Sequence, residues 1–305
     1  MADSHSPTAS SPRAGDRFSY GGQAVIEGVM IRGRKGYATA LRLAGGEIEL
    51  HQQPWKPLTQ RHRLLGLPII RGTPALIDAL VVGFRTIMLS ADVTARGEGI
   101  KPPSPFHYAL SIALALVIAI GGFVLLPSAV TPKVVKNALL LNIAEGIIRL
   151  IFFVLFILAA SRMPEMRRVF QYHGAEHKVI NAFEATGSYG PEAIGNYRTL
   201  HQRCGTSFIF MVLFVGILVH TLVGWPSHWV RLASRLALLP VVAGISYELI
   251  KLAGAHKSSR LLGALVAPGM WMQNITTREP TPDQVEVAIR ALDGALKLDT
   301  AEGQA

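Results

Sequence analysis

The chain has 305 residues; 50% are apolar, only 16% are charged, and the formal net charge is +10. Soluble domains carry about 25% charged residues, so this composition excludes an ordinary soluble globule and fits a membrane protein whose positive loops meet anionic lipid. The basic residues are scattered singly beside long apolar runs, which speaks against nucleic acid as a partner, and the single cysteine, Cys204, excludes an intrachain disulfide.

Residues 1–19 form the first unit. The run "MADSHSPTASSPRAGD" is rich in Ser, Pro and Ala and lacks the apolar core of a secretory signal, which predicts disorder. Residues 20–63 follow as a small cytoplasmic β element. Within 20–52, "QAVIEGVMIRG", "YATALRL" and "EIELHQ" alternate β-prone residues between Gly-rich turns, which predicts two or three short strands. Residues 64–105 contain an interfacial helix and a linker. Thr73 is the expected N-cap, with Pro74 at the first helical position. Asp78 and Arg85 inside this helix argue against its spanning a bilayer.

Residues 106–257 hold four apolar stretches of the length a bilayer requires, roughly 20 residues each. They cover 107–126, ended by Pro127; 138–160, interrupted by Asn142, Glu145 and Arg149; 206–225; and 235–253, with Pro240 as an expected kink. Loops 127–137 and 226–235 each carry two Lys or Arg, against six in 161–205 and five in 254–305. The positive-inside rule then puts both termini and the 161–205 loop on the cytoplasmic side of the membrane. Glu145 and Arg149 admit two readings. Either the second span starts near Ile147, or the two residues form an internal ion pair lining a polar cavity.

Residues 258–279 include "LLGALVAPGMWMQNI", too short to span and interrupted by Pro268-Gly269, hence an interfacial or re-entrant segment. Residues 280–305 end the chain with an amphipathic cytoplasmic helix that has Thr281 as N-cap and Pro282 next. The expected fold is thus mainly α: a polytopic helix bundle of about four spans with a small amino-terminal β element.

The 161–205 loop carries the chemistry. Pro164-Glu165 opens a helix that Gly187 can close. Its stripe Met166, Phe170, His173, His177, Ile180 and Glu184 recurs at helical spacing and faces inward. Histidines four apart on one face can bind one metal ion, and Glu176 beside His177 can serve as general base; H-x-x-E-H is the inverted zinc-hydrolase signature. The competing reading is a basic patch against lipid headgroups. Partners from the same membrane edge are His201 and Cys204 in "HQRCGTSF", Glu184, and Glu248 in "GISYELIK". In an open catalytic site, His173 and His177 join one carboxylate, foremost Glu248, and leave room for water. In a closed structural site, His201 and Cys204 complete a tetrahedral zinc. Cys204 can equally be a small buried residue at a helix start, His201 a turn residue, and Glu248 a salt-bridge partner of Lys251 or Arg260.

Five blocks, "GGQAVIEGVMIRG", "YHGAEHKVINAFE", "HQRCGTSF", "GISYELIK" and "PGMWMQNITTREP", occur in this order. Together they resemble the bacterial DUF1385 family, also called the YqhQ family, from about Tyr20 to about Ile289. The resemblance implies a membrane protein and a metal-dependent enzyme. Its implied metal residues fall on His173 and His177, with Glu176, His201, Cys204 and Glu248 as further members. Outside the five-residue motif the chain does not resemble the larger soluble zinc peptidases. The expectation is therefore a membrane hydrolase using a divalent ion, foremost zinc, on a lipid-like molecule or a membrane-bound peptide. The alternative is a metal-stabilised scaffold that binds a partner. A transporter needs a polar path, for which only Asn142, Glu145, Arg149 and His220 offer material.

Overall fold

The computed structural model describes residues 18–134, 137–224, 227–256 and 258–301. Most of the stretch expected to be disordered, residues 1–17, lies outside them. Strands β1 (Gly21–Val25), β2 (Gly28–Arg32), β3 (Gly36–Arg42) and β4 (Ile48–Pro54) form an antiparallel meander in sequential order. The helices are α1 (Leu58–Arg61), α2 (Gly72–Gly97), α3 (Pro105–Ile120), α4 (Leu126–Val134), α5 (Ala138–Ala160), α6 (Pro164–Thr186), α7 (Pro191–Ile194), α8 (Gly205–Val223), α9 (His228–Ala255), α10 (Arg260–Thr276) and α11 (Pro282–Thr300). Among the described residues, four segments are long and apolar enough to cross a bilayer: Pro105–Thr131, Ala138–Ala160, Gly205–Val223 and Trp229–Ala255.

The sheet has a fourth strand beyond the two or three expected, and it is covered on both faces. Period-two alternation sends Val29, Ile31, Ala38 and Ala40 to one face, where they pack with Tyr172, Ala175 and Val179 of α6 and Val287, Ala291 and Leu292 of α11. Met30, Tyr37 and Leu41 point the other way, toward Val82 and Val93 of α2. The small residues permit close packing: a Cβ on Gly294 of α11 would stand 2.7 Å from Ala38 Cβ. The Thr281–Gln284 capping box starts α11 as its sequence predicts. At the far end Asp299 accepts hydrogen bonds from the backbone N–H of Arg34 and Lys35 and from the Tyr20 hydroxyl. The tail helix is thereby clamped to the β2–β3 turn.

Several element boundaries depart from the sequence expectations. Pro127 does not end the first span. A π turn at Gly121–Leu125 precedes it, so Pro127 falls in the first turn of α4, where a missing N–H is tolerated. Helix α2 starts at Gly72, and Thr73 is not its cap; the Thr73 hydroxyl donates to the Pro240 carbonyl of α9 instead. Helix α10 continues through Pro268, and the Gly269 after it lets Ser207 of α8 approach so closely that a Cβ would meet its Cα at 2.7 Å. Asp78 inside α2 is buried and accepts the backbone N–H of Leu58.

The second span does not begin near Ile147. Asn137 caps α5 by accepting the N–H groups of Leu139 and Leu140, so Asn142 and Glu145 are fully within the helix. Helix α9 likewise starts well before residue 235, which makes Arg231 and Arg235 helix residues, not loop residues. Arg231 is buried in the bundle, and the half-buried Arg235 meets Glu145 there.

Candidate functional site

Helix α6 is the scaffold of the site. Pro164 and Glu165 stand in its first turn, and Gly187 closes it in the left-handed conformation at φ 73°. Its middle is buried on more than one face: His177 and Glu176 toward the site, Ala175 and Val179 toward the sheet. This exceeds the single inward stripe expected. Three layers enclose the helix here: the sheet with α11, the 199–204 segment, and the 276–279 segment. At Gly174 the last of these comes so close that a Cβ would lie 2.0 Å from the Arg278 carbonyl oxygen, and Arg278 N–H donates to the Phe170 carbonyl.

The two histidine rings lie 4.3 Å apart, centroid to centroid. His173 Nδ1–H donates to the Thr276 carbonyl at 2.8 Å, and His177 Nδ1–H donates to the Thr199 carbonyl at 2.5 Å. A carbonyl can only accept, so these bonds fix the tautomer and leave each Nε2 with a free lone pair. Cys204 faces them. Its Sγ is 3.2 Å from His173 Nε2, and ligand atoms of His173, His177 and Cys204 all lie within 4.8 Å of one another. Cys204 also caps α8, its sulfur accepting the Thr206 N–H. Burial lowers the pKa of His177 and keeps the imidazole neutral.

This donor set fits a small thiophilic cation. Tetrahedral zinc with S and N ligands requires an S···N separation of about 3.5 Å, close to the 3.2 Å observed. Histidines held by carbonyls at the far ring nitrogen are the usual outer support of such ligands.

Glu176 is buried beside the cluster. Its Oε1 accepts the backbone N–H of Gly22 from β1 at 2.9 Å, while Oε2 has no partner among the described residues. Burial pushes its pKa up to about 7, against the lowering influence of His173 and the Gly22 N–H. A cavity of about 60 Å³ joins Tyr20, Gly22, His173, Glu176, His201 and Cys204, space for an ion and a few waters or one small reacting group.

The remaining expected members separate. The ring of His201 is 5.5 Å from that of His177, but its Nε2 points toward Glu184 at 3.7 Å, and Glu184 also pairs with Arg203. The His201 backbone is fixed by Gln273, which accepts its N–H and donates to its carbonyl. Glu248 is not in the cluster. It takes the guanidinium of Arg71 on both oxygens, at 2.7 and 2.5 Å, and the Ile69 N–H on Oε1. The expected ligand is thus an anchor between the start of α2 and α9, and its partner is Arg71, not Lys251 or Arg260.

The model of the family described as "Protein of unknown function (DUF1385)" matches residues 67–298. The chain belongs to the DUF1385 family. A relative from Bacillus subtilis (strain 168), printed as "Uncharacterized protein YqhQ", is 36% identical over 303 residues, covering 94% of this chain and 95% of the relative. No solved structure matches.

In this DUF1385 chain, sequence reasoning missed Gly22 and the carbonyls of Thr199 and Thr276. All three act through the backbone, so no side-chain motif could have signalled them. The only hint for Gly22 is its place in the "GGQ" that opens β1. A Cβ there would stand 1.9 Å from the Met30 carbonyl oxygen, so no other residue fits the strand.

Proposed function

We propose that this membrane protein is a metal-dependent hydrolase in which His173, His177 and Cys204 hold a divalent cation, foremost zinc, and Glu176 is the general base. The observation that carries the reading is the convergence of two Nδ1-anchored histidines on one thiol, beside a buried carboxylate with a free oxygen. When bound, the ion supplies Lewis acidity toward water and toward a substrate carbonyl or phosphoryl oxygen. The chain's own residues do the rest. The Thr276 and Thr199 carbonyls hold the imidazoles in the ligating tautomer. The Gly22 N–H fixes Glu176 Oε1 and leaves Oε2 to take the proton of the attacking water. With a pKa near neutrality, Glu176 is matched to taking that proton and passing it to the leaving group.

The cavity admits only the reacting group of a substrate, so the remainder lies outside it. Exposed Leu261 and Trp271 on α10, and Ile77, Leu80 and Phe84 on α2, offer apolar surface for the rest of a lipid-like molecule or a membrane-bound peptide. We place the site on the cytoplasmic side of a bacterial inner membrane, with both termini on that side, because the basic residues concentrate on the segments around it.

The test is the metal content of detergent-purified wild type, His173→Ala, Cys204→Ala and Glu176→Gln, with the cellular phenotype of each. The expected result is metal in wild type, loss in the two ligand variants, and metal retained with function lost in Glu176→Gln. Absence of metal from wild type grown metal-replete would overturn the reading. A second reading, a metal-stapled scaffold, draws on the fact that the cluster joins α6 to the starts of α8 and of the 276–279 segment. Metal retention with an unchanged phenotype in Glu176→Gln would select it.

A further inference from the structure

At the end of the bundle opposite the histidine cluster, α5, α8 and α9 enclose a second cavity of about 250 Å³, bordered by Asn142, Glu145, Arg149, His220 and Arg235. Glu145 lies seven residues into α5, roughly 10 Å along its axis. Its side chain is 1% exposed and is shared by two guanidiniums: Arg149 donates to Oε1 at 2.6 Å, and Arg235 to Oε1 and Oε2 at 2.5 Å each. A third guanidinium, Arg231, is buried nearby and donates to the Ser128 hydroxyl.

The charges at this end do not balance. Arginine cannot shed its proton, so one carboxylate between Arg149 and Arg235 leaves a positive charge in excess. The sequence supplies no further acid: Glu145 is the only Asp or Glu between Glu98 and Glu165, and none lies between Glu192 and Glu248. Nitrogens here also lack partners among the described residues: Arg149 Nε, Arg235 Nε and His220 Nδ1 are buried and unbonded. Between apolar helices an uncompensated cation is unfavourable, and such groups characteristically mark a ligand or ion site. The π turn of the first span adds a second irregularity at the same place, since its Val124 borders the cavity.

We propose that this cavity binds a phosphate-type anion, with Arg149 and Arg235 as its cationic cradle and Glu145 as the internal counter-charge that keeps the empty site folded. Guanidiniums present planar, bidentate donor pairs matched to phosphoryl oxygens. The volume lies just under the roughly 300 Å³ at which drug-sized sites begin, which suits a headgroup or a free anion and not a large solute. Phosphate chemistry reaches this depth from two sources: the headgroup of a net-anionic phospholipid, or a small soluble phosphate.

The experiment is equilibrium binding to the full-length protein in a nonionic detergent. The probes are inorganic phosphate and dihexanoyl-phosphatidylglycerol, with dihexanoyl-phosphatidylcholine as the net-neutral control. Saturable binding of either anionic probe, at least tenfold weaker in Arg149→Gln and Arg235→Gln, is expected. Binding of inorganic phosphate as tightly as the lipid identifies a soluble anion; binding of phosphatidylglycerol alone identifies a headgroup. Glu145→Gln keeps the volume, removes the competing carboxylate, and is expected to bind the anion more tightly while melting lower without it. His173→Ala, at the other end of the bundle, leaves anion binding unchanged. Lack of saturable binding by both anionic probes, undiminished binding in the two arginine variants, or no gain in Glu145→Gln would overturn the proposal.

Discussion

Gly22 in β1 donates its backbone N–H to Oε1 of Glu176 in α6 across 154 residues of sequence, at 2.9 Å. One backbone group thereby orients the carboxylate beside the histidine cluster, and the strand that carries it tolerates no side chain at that point.

Gly22→Ala is therefore expected to displace β1 and leave Glu176 without its donor. A buried carboxylate that loses a hydrogen bond costs about 1–3 kcal/mol. The neighbouring Gly21→Ala is the control, because a Cβ there meets nothing within 4 Å. Thermal unfolding in detergent should show a lower midpoint for the first substitution and an unchanged one for the second.

Zinc should stabilise the protein through the histidine cluster. A ligand at 100 times its Kd adds about 2.7 kcal/mol to the folded state. Adding zinc to chelator-treated wild type is expected to raise the melting temperature. His173→Ala and Cys204→Ala should show no such rise. A rise that persists in Cys204→Ala would remove the thiol from the set and return His201 to consideration.

Glu248→Gln separates the anchoring role from a ligand role. Glu248 and Arg71 side chains are each about a quarter exposed, 25% and 23%. The pair is therefore partly screened, and its loss should cost about 1 kcal/mol. Metal content measured on the same preparation should equal that of wild type.

The sheet–helix layer should weaken in alkali. Burial raises the pKa of Tyr20, Tyr172 and Tyr189 above its ordinary value; hydrogen bonds to Asp299, Glu27 and Asp293 act in the same direction. A group whose folded pKa is raised contributes stability that is present below the unfolded value of about 10 and lost as pH rises past it. Melting temperatures measured from pH 8 to 11 should fall above pH 10. In Tyr172→Phe the fall should be shallower, with a loss of about 1 kcal/mol at neutral pH from the missing bond to Glu27.

What the sequence determined by itself is local. Long apolar runs marked four spans, because a bilayer sets the length that an apolar helix must have. Spacing of four placed His173 and His177 on one face of α6, since the helix repeats every 3.6 residues. Thr281 and Pro282 announced the start of α11, where the structure adds Gln284 in a capping box that closes within one turn. The alternation of β2 and β3 was equally legible, but not that both faces would be covered.

Only the tertiary structure decided which distant groups meet. "GISYELIK" was the foremost candidate for an open site and "HQRCGTSF" for a closed one, yet Cys204 reached the histidines and Glu248 went to Arg71, 177 residues away. The carbonyls that set the histidine tautomers come from 22 and 103 residues downstream, and backbone acceptors carry no residue signature. Glu145 and Arg149 could be paired from their spacing, but Arg235 joined them because α9 begins earlier than its apolar run and packs against the same cavity. Local periodicity orients a side chain; which partner it finds depends on the path of the chain between them.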